Sequence, residues 1–309
     1  GAVDIPFEDV IKVITGKGNV SRSVSFIIVG SRIPEAVTAM LAGSSLAVSG
    51  LLLQTAFRNP LAGPTILGVS SGASLGVALV MLLLGGSITI GNSVMGGYFA
   101  VVGGALLGSF LIMGLLIILS TFIRSDIMLL IVGIMIGYLT SSIVTLLSSL
   151  SDAQGIRSFV MWGMGTFSEV GLTQLPFFSL CCLIGLGMSV LLSKPLNLLL
   201  LGENYARNLG VNIKMVRNML LLSTGLLTAI VTAFCGPIGF IGISVPHISR
   251  LVFRIDDHFI LIPASMFSGA IMGLACSLFS TLFSGIVIPV NALTPIIGVP
   301  VILYVILRR

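Results

Sequence analysis

The sequence predicts an all-α polytopic membrane protein, and three observations carry that expectation. Hydrophobic residues fill 56% of the 309 positions and charged residues only 8%, against roughly 25% charged in an ordinary soluble domain. Mean hydropathy is +1.18. No Asp, Glu, Lys or Arg occurs between Arg58 and Arg124, or from His258 to Leu307. A helix needs about 20 apolar residues to cross the hydrocarbon core, so these two runs alone hold roughly four spans. The short alternating segments that mark a membrane β-barrel are absent.

Residues 1–20 are amphipathic and mixed in charge, with Asp4, Glu8, Asp9, Lys12 and Lys17. Pro6 ahead of Glu8 and Asp9 suits a helix start, and Gly16 and Gly18 end it. The segment 1–30 therefore reads as external and interfacial. A first span is predicted over about residues 33–57, closed by Gln54, Arg58, Asn59 and Pro60. Residues 61–76 open the second, with Gly68, Gly72 and Gly76 on one helical face, where another backbone can come close. Two more spans are predicted over about 93–123 and 128–150. The connector 151–169 carries Asp152, Arg157 and the lone Trp162, whose ring fits an interface.

Spans over about 172–193 and 218–235 follow. Residues 236–247 are too broken by Gly and Pro for a regular helix but count as a return crossing. Backbone that irregular is tolerated at membrane depth only when buried in protein or lining water. Arg250, Arg254, Asp256, Asp257 and His258 make a polar turn, and spans over about 260–283 and 293–307 finish the chain, separated by Pro289, Asn291 and Pro295. The total is about nine spans, one of them short and broken, in a single transmembrane domain of residues 1–309. Cys181, Cys182, Cys235 and Cys276 lie in apolar runs without metal-ligand spacing and read as small packing residues, so no metal site is expected.

The chain is organised around the polar stretch 194–218. Within it, Gly202 and Gly210 bracket Glu203, Tyr205, Ala206, Arg207 and Leu209. Glu203 and Arg207 stand four apart, where they can pair on one helical face. So short a helix needs a surface to lie against. It reads as a helix displayed for a soluble partner, with an ordinary connecting loop as the plainer alternative. Basic residues decide the side. Strict alternation puts Arg58, Arg124, Lys194, Arg207, Lys214, Arg217, Arg250, Arg254, Arg308 and Arg309 with the displayed helix, against Lys12, Lys17, Arg22, Arg32 and Arg157 opposite. That bias makes the displayed helix cytoplasmic.

Three motifs converge on one family. Arg58-Asn-Pro-Leu-Ala-Gly-Pro64 with Leu67-Gly-Val-Ser-Ser-Gly72 resembles the signature at the first internal turn of the permeases of iron-siderophore, haem and cobalamin ABC importers. Gly202 to Gly210 is similar to their coupling loop, and Gly236-Pro-Ile-Gly-Phe-Ile-Gly-Ile-Ser-Val-Pro-His-Ile-Ser-Arg250 to their most recognisable segment. The resemblance covers the chain from about Arg32 onward. It implies a multi-pass subunit of the bacterial inner membrane with ten helices, the first of them preceding Gly1. It also implies a second copy of the chain around a central pathway, two cytoplasmic ABC ATPase subunits, an external binding protein and surrounding lipid, with no nucleic acid. The expected cargo is a metal chelate, an iron-siderophore or haem, with cobalamin as the alternative.

The same resemblance assigns residues. Gly202, Glu203, Tyr205, Ala206, Arg207, Leu209 and Gly210 would meet the ATPase. Asn59 and Leu61 would form a gate, with Asp126 and Ile127 at a second. Arg32 would dock the binding protein. Here the chain departs from its relatives: Glu35 stands where a second arginine is common, Ser280 removes a third positive charge, and Val287 replaces a frequent acidic residue. Lys12, Lys17, Arg22 and Arg157 are candidates to help Arg32.

The residues agree independently. No GxxxxGK[ST] occurs, so the chain has no cradle for ATP phosphates; Thr15-Gly16-Lys17-Gly18 lacks the spacing. The chain is expected to be no enzyme and to hold no cofactor of its own, ATP and Mg belonging to the partner ATPase. The rival of another class is an ion-coupled carrier, which keeps ionisable relays inside its spans; only His247 offers one, and a structural role suits it better. Ser70, Ser71, Ser74, Ser141, Ser142 and Thr145 fit either an inert pathway wall or hydroxyls bonded to the preceding helical turn.

Overall fold

The computed structural model describes residues 3, 5–16, 20–90, 93–123, 125–282 and 288–307. Lys17, Gly18, Arg124, Val287, Arg308 and Arg309 lie outside the described residues, as does the side chain of Asp126. The described residues form a helical bundle with one small hairpin. Among the described residues, five helices are long and apolar enough to cross a membrane: Arg22–Ala56, Tyr98–Phe122, Ile127–Leu150, Ile213–Cys235 and His258–Ser280.

The amino terminus forms α1 (Phe7–Thr15), which ends at Gly16 in the left-handed conformation (φ 67°). Lys12 pairs with Glu8 at 2.7 Å across one turn. The first long helix starts earlier than expected. Ser21 caps α2 (Arg22–Ile27) by accepting from Val24 N, and a π-helical turn at Ile28–Arg32 feeds directly into α3 (Ile33–Ala56). The helix thus runs continuously from Arg22 to Ala56 through the wider π turn. Arg32 and Glu35 therefore sit within a helix, and the interfacial segment shrinks to the stretch around α1.

The second apolar helix starts later than expected. Residues 58–68 are turns, with Arg58 at φ 45°, and α4 (Val69–Ala78) begins after Gly68 at φ 79°. A second π turn, Leu79–Leu83, ends it. Residues 93–97 are not helical. Strands β1 (Ser87–Ile90) and β2 (Ser93–Gly96) pair antiparallel, Ser87 opposite Gly96 and Ile90 opposite Ser93. The β-branched run Ile88, Thr89, Ile90 and Val94 suits strands, and Gly86 and Gly97 close the hairpin with Gly97 N donating to Gly86 O at 3.0 Å.

Beyond it run α5 (Tyr98–Phe122) and α6 (Asp126–Leu150), then α7 (Ala153–Gly163) inside the connector, its first turn capped by Asp152 Oδ1 from Gly155 N at 2.9 Å. Helices α8 (Leu175–Leu191) and α9 (Ser193–Leu200) meet at a 45° bend. The six-residue α10 (Glu203–Asn208) leads into α11 (Ile213–Cys235). Residues 236–240 are irregular, with Gly236 at φ 78° and Phe240 at φ 64°, and α12 (Ile241–Phe253) carries Pro246 within it. Finally come α13 (His258–Ser280) and α14 (Val290–Leu307), which starts at Val290 and contains Pro295 and Pro300.

Small residues set the packing. A Cβ on Gly76 would lie 1.9 Å from Gly104 O, and one on Gly108 would lie 2.0 Å from Gly72 O, so α4 and α5 touch backbone to backbone. Gly72 and Gly76 of the predicted glycine face do what their spacing implies, whereas Gly68 precedes the helix and lies against Gly133 of α6. Likewise Gly50 of α3 meets Gly242 of α12, where a Cβ would come within 1.7 Å of Gly242 O. Helix α3 is the centre of the bundle: its residues from Gly43 to Thr55 are all buried. Helix α6 is the opposite case, with Met135, Tyr138, Leu139 and Leu146 more than 60% exposed.

Candidate functional site

Two ends of the bundle can be told apart by their contacts. One end gathers the C-termini of α3, α5 and α12, the N-termini of α6, α11 and α13, and the α9–α10 hairpin. At the other lie α7, the β-hairpin, the C-terminus of α13 and residues 236–240.

At the first end, Gly202 (φ 111°) and Gly210 (φ 85°) turn the chain on either side of α10. Only glycine adopts such angles without strain, which is why the bracketing pair was legible. Ala206 is fully buried and anchors the helix, its carbonyl accepting from Val211 N at 3.0 Å. Tyr205 and Leu209 are each 54% exposed, and Arg207 points outward with them. This is an apolar surface with a cation at its edge, presented away from the bundle.

The expected Glu203–Arg207 pair does not form. Among the described residues the ion pairs join Lys12 to Glu8 and Asp9. Glu203 lies three residues from Ala206, on the face turned to the bundle, and lines a small cleft with Thr55, Arg58 and Arg217. Glu203 shares this cleft with Arg58, just beyond the end of α3, and with Arg217 of α11, so Glu203 and Arg207 serve different surfaces.

The segment 58–61 is built by its own hydrogen bonds. Asn59 Oδ1 accepts from Leu61 N at 3.0 Å, and Asn59 N donates to Gln54 O at 3.2 Å. His247 Nε2 donates to Pro60 O at 2.9 Å, which gives this histidine a structural partner. Leu61 stands 51% exposed. Arg58 reaches Leu199 O at 3.4 Å, so the segment also touches the hairpin. The second expected gate sits at the start of α6, where Ser125 Oγ accepts from Met128 N and Ile127 is 66% exposed. Arg217 Nη1 donates to Ile123 O at 2.8 Å and so ties this turn to α11. The structure thus gathers Arg58, Glu203 and Arg217 at one cleft.

Residues that the sequence marked only as span ends complete this end. Gln54, the lone amide in an apolar helix, accepts from Arg250 Nη1 at 2.7 Å and donates to Ile243 O at 3.2 Å, binding α3 to α12. Asp257 caps α13; the Phe259 backbone N–H and then the Asn197 amide hold its carboxyl below the ordinary range. That cap is fully present above the ordinary carboxylate range and is lost only as pH falls through the lowered value.

The other end holds the expected docking residues, and all three are occupied within the chain. The Arg32 guanidinium donates to Val3 O rather than pairing with Glu35. Glu35 Oε1 accepts from Ser277 Oγ at 2.8 Å. Ser280 is 7% exposed and donates to Ile288 O at 2.6 Å. The broken segment 236–240 is tied down by Asn291, whose Oδ1 accepts from Gly239 N at 3.1 Å and whose Nδ2 donates to Gly163 O at 3.1 Å. An outer cavity of about 830 Å³ lies beside it, lined by Tyr98, Asp152, Trp162, Glu169 and Phe234 among others. Of the hydroxyl candidates, Ser74, Ser142 and Thr145 bond to carbonyls one turn back, and Ser70 meets Thr232 across to α11 at 3.2 Å.

This architecture is shared. The profile of the FecCD transport family matches residues 1–308. The chain belongs to the FecCD transport family. It is 35% identical over 278 residues to the vitamin B12 import system permease protein BtuC of Klebsiella pneumoniae, covering 90% of this chain and 81% of that one. It is 36% identical over 281 residues to the hemin transport system permease protein HmuU of Yersinia pestis, covering 90% and 82%. A solved structure assigned as a metal-chelate type ABC transporter, in an inward-facing conformation, superposes with a TM-score of 0.85 at 31% identity, covering 94% of this chain and 91% of that one. The FecCD assignment agrees with the resemblance that the three motifs carried.

Proposed function

We propose that the chain is the permease subunit of an ATP-driven importer for a metal chelate, an iron-siderophore or haem, in a bacterial inner membrane. The observation that carries this reading is the α10 surface, a short helix bracketed by two left-handed glycines on a chain of the FecCD family. Two copies form the pathway, meeting through faces such as the exposed one on α6. Nine crossings complete each copy's described span set. Besides the long helices and the bent α8–α9 pair, the three shorter apolar helices cross with the help of the non-helical residues that precede them. Thirteen helical residues in α12 rise about 20 Å at 1.5 Å each, and residues 236–240 cover the remainder of a core about 30 Å thick.

Two cytoplasmic ATPase subunits supply ATP and Mg, and α10 receives their motion through Tyr205, Arg207 and Leu209. Asn59 and Leu61 form one gate, with Asp126 and Ile127 at a second. An external binding protein docks at the Arg32 end, where Arg22 and Arg157 supply further positive charge. Cobalamin is the second reading, since the vitamin B12 relative is nearly as similar as the hemin relative. The experiment is uptake by cells expressing this permease with its ATPase and binding protein, offered ferric siderophore, haem or cobalamin. ATP-dependent uptake of a ferric siderophore or haem bears the reading out, cobalamin uptake alone replaces it with the second, and uptake of none refutes both.

A further inference from the structure

Besides the Arg58 contact with Leu199 O, α9 is tied to the bundle through Asn197, whose side chain meets one buried histidine. His258 opens α13 and is 1% exposed. Its backbone N–H and its Nδ1 both meet Asn197 Oδ1, at 2.9 and 2.8 Å, and its Nε2 lies 2.8 Å from Thr55 Oγ1. Asn197 belongs to α9, and Thr55 to the last turn of α3. Asn197 Nδ2 in turn donates to Asp257 Oδ1 at 2.6 Å.

For a neutral His258 ring bonded to Thr55, the partners set the direction of each proton. Flipping the Asn197 amide would aim its NH2 at the His258 backbone N–H and its oxygen at a carboxylate. Asn197 Oδ1 is therefore the acceptor, and Nδ1 carries the hydrogen of the neutral ring. Nε2 is left as an acceptor for the Thr55 hydroxyl. Donation runs one way, from Thr55 through His258 and Asn197 to Asp257. Leu51 O, 3.0 Å from the Thr55 hydroxyl, is the local alternative partner when that hydroxyl leaves the ring.

Apolar helix faces tolerate sliding, whereas a buried hydrogen-bonded chain is satisfied in one relative placement of its elements. Thr55 lies one turn before segment 58–61, whose Asn59 N is bonded to the adjacent Gln54 O. We propose that Thr55, His258 and Asn197 form a strut that carries displacement of the α9–α10 hairpin into the end of α3, and so into the gate at 58–61. They are positioning residues that touch no cargo. The inference rests on the reading of α10 as the ATPase contact and of Leu61 as part of a gate.

The test uses the full permease assembled with its ATPase, with Cys181, Cys182, Cys235 and Cys276 replaced by alanine and Leu61→Cys as reporter. The rate of labelling by a water-soluble maleimide is compared without nucleotide and with ATP plus vanadate. The strut predicts that the nucleotide-dependent difference in rate is lost in Thr55→Val and retained in Thr55→Ser, while both assemble and hydrolyse ATP. Asn197→Leu, which strands the Nδ1–H, produces the same loss from the other end and serves if Thr55→Val does not assemble. An assembled Thr55→Val or Asn197→Leu complex that keeps the full difference overturns the strut and leaves the gate standing. A parent complex with no nucleotide-dependent difference overturns the gate reading and the strut with it.

Discussion

Helices α3 and α6 are near-equals in length and both apolar, with 24 and 25 residues, yet they occupy opposite situations. α3 is walled in by α12, α13 and α11, and its glycines meet foreign backbone. α6 shows most of its side chains to the outside, and its hydroxyls bond back to their own helix. In α3 the fit is closed within one chain and carries the polar contacts to the hairpin. In α6 a large apolar face is left for something else to cover, whether lipid or a second copy. Hydropathy alone does not separate them, because the hydrocarbon core and a protein interior are both apolar.

The largest expected effect comes from filling the α3 seam. Gly50→Val places atoms where even a Cβ lies 1.7 Å from Gly242 O, and overpacking of this kind costs about 3 kcal/mol. The matching change on α6, Gly137→Ala, meets only Ser71 Oγ at 3.5 Å and is expected to shift stability by less than about 0.5 kcal/mol. Thermal unfolding in detergent compares the two; equal losses would erase the contrast between the helices.

Next in size is an effect on assembly rather than folding. Met135→Glu and Leu139→Arg on the exposed face of α6 are expected to separate the proposed homodimer while leaving the unfolding midpoint of each subunit unchanged. Mass determination of the purified permease distinguishes this from a face covered only by lipid, for which the dimer would survive.

A smaller structural change with a functional readout is Arg207→Ala. Arg207 is exposed and makes no ion pair with Glu203, so stability is expected to stay within about 0.5 kcal/mol while ATP-driven uptake falls. Glu203→Ala differs, because Glu203 lines the cleft with Arg58 and Arg217. It is expected to disturb both stability and uptake. Identical behaviour of the two variants would restore the view that they act as one pair.

The smallest effect is at the far end. Arg32 is half-buried and already bonded to Val3, and an exposed charge pair contributes about 0–1 kcal/mol. Arg32→Glu is expected to weaken binding-protein affinity by up to about fivefold, with a modest salt dependence, measured on nanodisc-embedded complex. Unchanged affinity would remove Arg32 from docking.

The same contrast explains what the sequence made legible. Long charge-free runs announce apolar helices, and Gly68, Gly72 and Gly76 announce a close approach, because both signals are local. The bracketing of α10 by Gly202 and Gly210 was local too. The π turns at Ile28–Arg32 and Leu79–Leu83 were not, since nothing in composition distinguishes five residues with wider hydrogen bonding from five in an α-helix. The strand hairpin was hidden because its β-branched residues sit in a run that is also apolar enough for a span. His258, Asn197 and Thr55 stand far apart in sequence and acquire meaning only when α3, α9 and α13 converge. The Glu203–Arg207 pairing failed for a related reason: four-residue spacing suggested one shared face, but burial of Ala206 turns Glu203 toward the cleft and leaves Arg207 exposed.

The central claim is that transport through this chain is driven by ATP hydrolysed elsewhere and received at α10. It is tested most directly in proteoliposomes holding the permease with its ATPase, given binding protein loaded with ferric siderophore or haem. The account predicts uptake that requires ATP and the ATPase and that is lost in Arg207→Ala without loss of assembly. Uptake by the permease alone, driven by a proton gradient in the absence of ATP, would contradict it.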